Sequence, residues 1–130
     1  SGTGAAGGMG GSLLAFLNAK LKPGIQLMLE TLDFSNKIKG ADLIITGEGK
    51  ADKQTLMGKV PSGTLDKARK QKIPVILIAG SVENADDLHR AGFRGVYSIN
   101  PPSITLEQAM QPEVARANIS ETVVEICRSF

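Results

Sequence analysis

Two apolar runs, Leu43-Ile44-Ile45-Thr46 and Val75-Ile76-Leu77-Ile78-Ala79, constrain this chain more than any other feature. Continuous apolar strands buried on both faces belong to parallel sheets. The first is predicted to run from Ala41 to Thr46, and Gly95-Val96-Tyr97-Ser98-Ile99 reads as a third strand. Segments with helical spacing lie between them. From Ser62 to Lys72, Leu65 and Ala68 face one way while the lysines and Arg69 face the other, and Pro74 closes the helix. Asn84 is placed to cap a helix carrying Ala85, Leu88 and Ala91. Strands alternating with helices imply right-handed crossovers, so the expected fold class is α/β: a three-layer α/β/α arrangement with a parallel sheet. Three strands make a small sheet, one that would gain strands from further chain or from a partner.

The flanking segments also read as helices. Leu13, Leu14, Phe16, Leu17 and Leu21 suggest a short buried helix. A second follows Pro23, with Ile25, Met28, Leu29 and Leu32 on one face. Thr105 and Gln108 fit a capping box, and a last helix from about Glu113 aligns Ile119, Val123, Ile126 and Cys127.

Composition narrows the function classes. At 130 residues and 42% hydrophobic, the chain has the make-up of one soluble domain, and no stretch reads as a membrane span. A net charge of +2 with interspersed signs, one tyrosine and four phenylalanines leave neither a basic stripe nor stacking platforms, so nucleic acid is discounted. The lone cysteine, Cys127, allows no internal disulfide and no thiolate metal site, which suits a reducing compartment and makes the cytoplasm the default. The N-terminus lacks the charged-then-apolar pattern of a signal peptide. Six of the first eleven residues are glycine, and a glycine loop is normally held between two elements. The expectation is a piece of a longer protein, beginning inside a loop.

Chemistry is expected where Gly47-Glu48-Gly49-Lys50-Ala51-Asp52 continues through Lys53-Gln54-Thr55-Leu56-Met57-Gly58-Lys59. Open α/β sheets build ligand sites at the carboxyl ends of their strands. Phosphoryl transfer needs cations on the transferred group, carboxylates for a metal ion and an orienter for the acceptor hydroxyl. Glu48, Asp52, Lys50, Lys53 and Lys59 supply these types. Glu48, nearest the strand end, is the most rigidly placed, Lys50 and Lys53 fit a solvated role, and Asp52 with Thr55 alternatively caps a turn. Val60 after Gly58-Lys59 excludes a P-loop. Gly80-Ser81 and Asn100-Pro101-Pro102-Ser103 open at the same sheet edge. Gly2-Thr3-Gly4-Ala5-Ala6-Gly7 matches G-x-G-x-x-G without the strand and acidic residue that a dinucleotide fingerprint requires. Anion binding by its backbone, close packing and a hinge all remain open. His89 reads as solvated and Cys127 as core.

Taken in order, Gly2-Thr3-Gly4-Ala5-Ala6-Gly7-Gly8, Lys22-Pro23-Gly24-Ile25, Ala41 to Gly49, Gln54-Thr55 with Gly58-Lys59, and Ala79-Gly80-Ser81 closely resemble the C-terminal part of the type 1 glycerate kinases. The resemblance covers essentially the whole chain. It implies ATP- and Mg²⁺-dependent transfer of a phosphoryl group to D-glycerate, giving 2-phosphoglycerate. It also implies a two-domain kinase, with residues 1–35 ending an inserted glycine-rich α/β domain. Residues 40–130 would form the C-terminal part of a discontinuous Rossmann-like domain, and the active site would lie in the cleft between the two. Carried over by residue, Glu48 and Asp52 would be catalytic and would hold the metal. Gly4, Gly7, Gly8, Gly47, Gly49 and Lys59 would contact nucleotide or substrate. A charge at Lys50 also fits the family. The chief departure is the missing N-terminal part of the kinase, the partner without which these residues are expected not to turn over substrate. The alternatives are a non-catalytic nucleotide- or anion-binding α/β module, pairing as a homodimer through its exposed sheet edge, and a purely structural half-domain.

Overall fold

The computed structural model describes residues 4, 7–17, 20 and 22–130. Gly2, Thr3, Ala5, Ala6 and Leu21 lie outside the described residues. Helices α1 (Met9–Leu17), α2 (Gly24–Thr31) and α3 (Phe34–Lys37) precede strand β1 (Ile44–Ala51). A 3-10 turn (Lys53–Leu56) and α4 (Val60–Arg69) lead to β2 (Val75–Val82), and α5 (Ala85–Ala91) leads to β3 (Gly95–Ser98). Helices α6 (Leu106–Ala109) and α7 (Pro112–Ser129) follow. The strands pair in parallel in the order β1-β2-β3, so the α/β class with a parallel sheet expected from the sequence is the fold observed.

Strand β1 runs past its apolar run. Gly47, Glu48, Gly49 and Lys50 stay in the sheet, with Glu48 opposite Ala79 and Lys50 opposite Ser81. The boundary predicted at Thr46 is therefore corrected to Ala51. The ladder needs only backbone groups, and glycine lets these two chains close up. A Cβ at Gly80 would lie 2.8 Å from the Gly49 carbonyl oxygen. Beyond the ladder the Glu83 amide still donates to the Ala51 carbonyl at 2.8 Å.

The core forms on one face of the sheet. Val75, Leu77 and Ala79 alternate to the same side of β2 and cluster with Leu65 and Ala68 of α4, Leu88 of α5, and Ile38, Ile73 and Phe93. Right-handed crossovers in the order 1-2-3 put α4 and α5 on that one side. Ile76 of β2 and Ile126 of α7 are buried outside this cluster.

Three expectations about helix burial are corrected. In α1, Leu13, Leu14, Phe16 and Leu17 are exposed, Phe16 by 84%, and Gly10 is the residue buried. In α2, Ile25 and Leu29 are buried while Met28 and Leu32 stand half out, because the stripe facing α4 is narrower than the apolar face. In α7, Ile126 is buried but Ile119 and Cys127 are exposed. Eighteen residues of helix rise about 27 Å, whereas the four residues of β3 extend about 13 Å. The Thr105–Gln108 capping box forms as predicted. Asn84 takes the N-cap position of α5 but in a left-handed conformation, and its side chain makes no cap bond. Helix α4 ends at Arg69, before the predicted Lys72, which adopts φ 59° in the turn to Pro74.

Gly63 sets the approach of α2 to α4. A Cβ there would lie 2.5 Å from Ile25 Cγ1 and 3.2 Å from Leu29 Cδ1. Alanine gains about 1 kcal/mol of helix propensity, but overpacking costs about 1–3 kcal/mol. Gly63→Ala is therefore expected to lower the urea midpoint, and adding Ile25→Ala to recover part of the loss. A Gly63→Ala protein more stable than wild type would show that α2 does not press on α4 here.

Candidate functional site

The polar end of β1 opens into a cleft of about 370 Å³. It is lined by Gly47 and Glu48 of β1, by Gly58, Lys59, Val60 and Pro61, and by Ile25 and Met28 of α2. Because β1 holds Glu48 in its ladder, the carboxylate is placed by the sheet. The side chain is 14% exposed, and each of its oxygens has a neighbour. The Thr55 hydroxyl donates to Oε1. The Lys59 ammonium stands 3.8 Å from Oε2.

Local turn chemistry brings these groups together. After β1, Asp52 Oδ1 accepts from the Gln54 amide at 2.8 Å, and the Asp52 amide donates to Thr55 Oγ1 at 3.0 Å. This reciprocal cap closes the 3-10 turn and turns Thr55 inward, where it is fully buried. Gly58 then takes φ +78°, a conformation that favours glycine, and sets Lys59 as the N-cap residue of α4. Lys59 makes no side-chain cap bond to α4. A helix start without a side-chain cap, beside a lysine, attracts anions.

The site residues expected from the sequence divide. Glu48, Lys59 and Gly47 meet in the cleft. Asp52 is not among the cleft-lining residues, and its carboxylate caps the turn, the alternative that the sequence left open. Gly49 sits exposed in β1. Gly4, Gly7 and Gly8 are not among the cleft-lining residues. Gly7 and Gly8 have positive φ, and a Cβ on any of the three would touch nothing within 4 Å. Gly8 instead offers its carbonyl to the amides of Gly11 and Ser12, opening α1.

At the other two strand ends the polar groups bond to one another. The Gly80 carbonyl accepts from Asn100 Nδ2 at 2.8 Å, and Asn100 Oδ1 accepts from Asn118 Nδ2 at 3.0 Å. Lys50 pairs with Glu83 at 2.8 Å and Lys53 with Asp87 at 3.7 Å. His89 is exposed, with Nδ1 3.2 Å from the Phe93 carbonyl. The sequence reading did not anticipate the α2 wall or the bond from Thr55 to Glu48. The Asp52–Thr55 spacing, a cap acceptor and a hydroxyl three residues apart, signals the turn, whereas the bond to Glu48 spans seven residues.

The surface pairs have a pH signature. Lys22 holds the Glu30 carboxyl below its ordinary range by hydrogen bond and charge, and Arg90 does the same for Asp87 through its hydrogen bond. Folded-state pKa values below the unfolded ones give stability that is present above the ordinary carboxylate pKa of about 4 and lost as the pH falls through the lower folded values. Glu83 raises the Lys50 pKa, chiefly by hydrogen bonding. That contribution is present below the ordinary lysine range and lost as the pH climbs through the raised value. The melting temperature is thus expected to fall as the pH drops below the ordinary carboxylate pKa of about 4, and Asp87→Asn to flatten the slope at low salt. An unchanged slope in Asp87→Asn would remove that pair from the account.

Among the described residues, no three histidine, cysteine or carboxylate side chains cluster to hold a metal. Mg²⁺ bound with a phosphorylated ligand commonly takes one or two carboxylates, the remainder being phosphate oxygens and water. The single cleft carboxylate, Glu48, fits that donor set. No described helix is long and apolar enough to cross a membrane.

Comparison with known proteins adds to this geometry. The model of the glycerate kinase family matches residues 1–130. The chain is 46% identical to a glycerate kinase of Bacillus cereus over 126 residues, 96% of this chain and 32% of that protein. It is 43% identical to the glycerate 2-kinase of Escherichia coli over 111 residues, 85% of this chain and 29% of that protein. A crystal structure assigned as a glycerate kinase 2 from Salmonella typhimurium LT2 superposes with a TM-score of 0.63 at 33% identity, covering 98% of this chain and 33% of that one. The chain thus spans about a third of the length of the curated relatives it matches.

Proposed function

Because this chain belongs to the glycerate kinase family, we propose that it serves a cytoplasmic enzyme that transfers the γ-phosphoryl group of ATP, as its Mg²⁺ complex, to D-glycerate. The observation carrying this reading is the cleft in which one carboxylate, one lysine and the uncapped start of α4 converge. In it Glu48 would hold the metal ion through Oε2, and Lys59 would move from that carboxylate to a phosphate oxygen. The amides opening α4 would favour the same anionic group. When bound, Mg²⁺ would supply charge stabilisation for the transferred phosphoryl group. Asp52 would act on the site by holding its turn. The E. coli relative is named a glycerate 2-kinase, which favours 2-phosphoglycerate as the product here.

The relatives are about three times as long, so we assign the opposing wall of the site to the remainder of a family-length chain. The exposed apolar face of α1, with Leu13, Leu14, Phe16 and Leu17, and the exposed Met28 and Leu32 of α2 suit such a neighbour. The division at residues 35 and 40 into an inserted and a discontinuous domain belongs to the same proposal. The Gly4, Gly7 and Gly8 segment would then serve phosphate from the inserted side.

Calorimetry of the protein at its natural length tests the reading. Lys59→Met removes a charge-assisted bond and is expected to weaken Mg²⁺-ATP binding about tenfold or more. Unchanged affinity would take Lys59, and with it this cleft, out of nucleotide binding.

A further inference from the structure

We propose that Thr55 is a positioning residue for Glu48, holding one carboxylate oxygen so that the other is aimed into the cleft at the cation accompanying a nucleotide's phosphates. This deepens the phosphoryl-transfer reading above and rests on it. Thr55 has no exposed surface, so no water replaces its partners. A hydroxyl carries one proton. Here the oxygen accepts the Asp52 amide at 3.0 Å, and the proton goes to Glu48 Oε1. The Asp52 cap fixes the turn backbone, and the β-branch of threonine restricts χ1, so the hydroxyl has little freedom to point elsewhere.

The consequence falls on Glu48 as an asymmetry. Oε1 is committed, while among the described residues Oε2 faces only the Lys59 ammonium at 3.8 Å, too far for a hydrogen bond. Oε2 is thus the oxygen that exchanges one cation for another without breaking a tight contact. A glutamate on an exposed strand end ordinarily samples several rotamers, and Mg²⁺ tolerates little departure from octahedral geometry. The buried hydroxyl removes that freedom before the ligand arrives. Sequence reasoning offered Thr55 as a turn cap, and the structure gives it both duties through the same oxygen.

Two variants separate positioning from plain support of the fold. Thr55→Val keeps the shape and loses the hydroxyl; Thr55→Ser keeps the hydroxyl. Each is titrated calorimetrically, at the protein's natural length, with ATP plus Mg²⁺ and with ATP in chelator. Thr55→Val is expected to weaken Mg²⁺-ATP binding by about 10- to 100-fold, the usual effect of losing a partner of a metal ligand, while binding of metal-free ATP stays close to wild type. Thr55→Ser is expected to match wild type on both. Equal losses on the two nucleotide forms, or an unchanged Mg²⁺-ATP affinity in Thr55→Val, overturn the proposal. If Thr55→Val does not fold, Thr55→Ser decides: near-wild-type binding supports the role, and a loss of about tenfold or more with the hydroxyl in place overturns it. A wild-type protein that binds no Mg²⁺-ATP overturns the nucleotide reading itself, and is told apart because wild type and variants are then equally silent.

Discussion

Glu48→Gln is expected to lower kcat/KM for phosphorylation of glycerate by about 10²–10³-fold, the scale for removing one electrostatic group aimed at developing charge. The amide keeps the shape of the side chain and leaves a carbonyl oxygen for the Thr55 hydroxyl. What it removes is the negative charge at Oε2, the oxygen facing Lys59. The loss is therefore expected to fall on metal-nucleotide binding and turnover, with the melting temperature close to wild type. Lys59 is 43% exposed, so solvent screens the charge left without its partner. A coupled assay across Mg²⁺ concentrations makes the measurement, and kcat/KM near the wild-type value at all of them would remove Glu48 from the reaction.

The largest stability effect is expected at Leu77. Its side chain is fully buried in the central strand, among residues of α4 and α5, so truncation leaves a cavity that the sheet cannot close. Leu77→Ala is expected to cost about 2–5 kcal/mol, a large part of the roughly 5–15 kcal/mol that holds a domain folded. Leu106, 77% exposed on α6, is the control: Leu106→Ala should leave the urea midpoint near its wild-type value. Equal effects at the two positions would mean that the core is not where the β2 alternation places it.

Why some of this was legible in the sequence and some was not follows from the range of the forces involved. The apolar runs at residues 43–46 and 75–79 announce strands because a parallel sheet buried on both faces selects such residues locally. The extension of β1 through Gly47-Glu48-Gly49-Lys50 was hidden, since those residue types disfavour strands. Pairing with β2 overrides them. The Thr105–Gln108 box was legible because both partners lie within one turn. Burial is the opposite case. The leucines of α1 and the face of α7 carrying Cys127 show a proper apolar stripe, yet periodicity says only which face is apolar and not whether a neighbour covers it.

In the site, Glu48 and Lys59 stood out as charged groups after a strand. That they face each other depends on Gly58 turning the chain back to α4. Asp52 drew attention for its charge, and its carboxylate holds the turn. Thr55 was named only as part of a turn, because a hydroxyl's second partner seven residues upstream leaves no local trace.

The most direct test of the account follows the phosphorus by ³¹P NMR, with the protein at its natural length, ATP, Mg²⁺ and D-glycerate. A phosphomonoester of glycerate, at the 2-position, is expected to grow as ATP becomes ADP, with no such signal from Glu48→Gln on the same timescale. ATP turned over with no phosphate reaching glycerate, or an ester formed equally fast by Glu48→Gln, would contradict it.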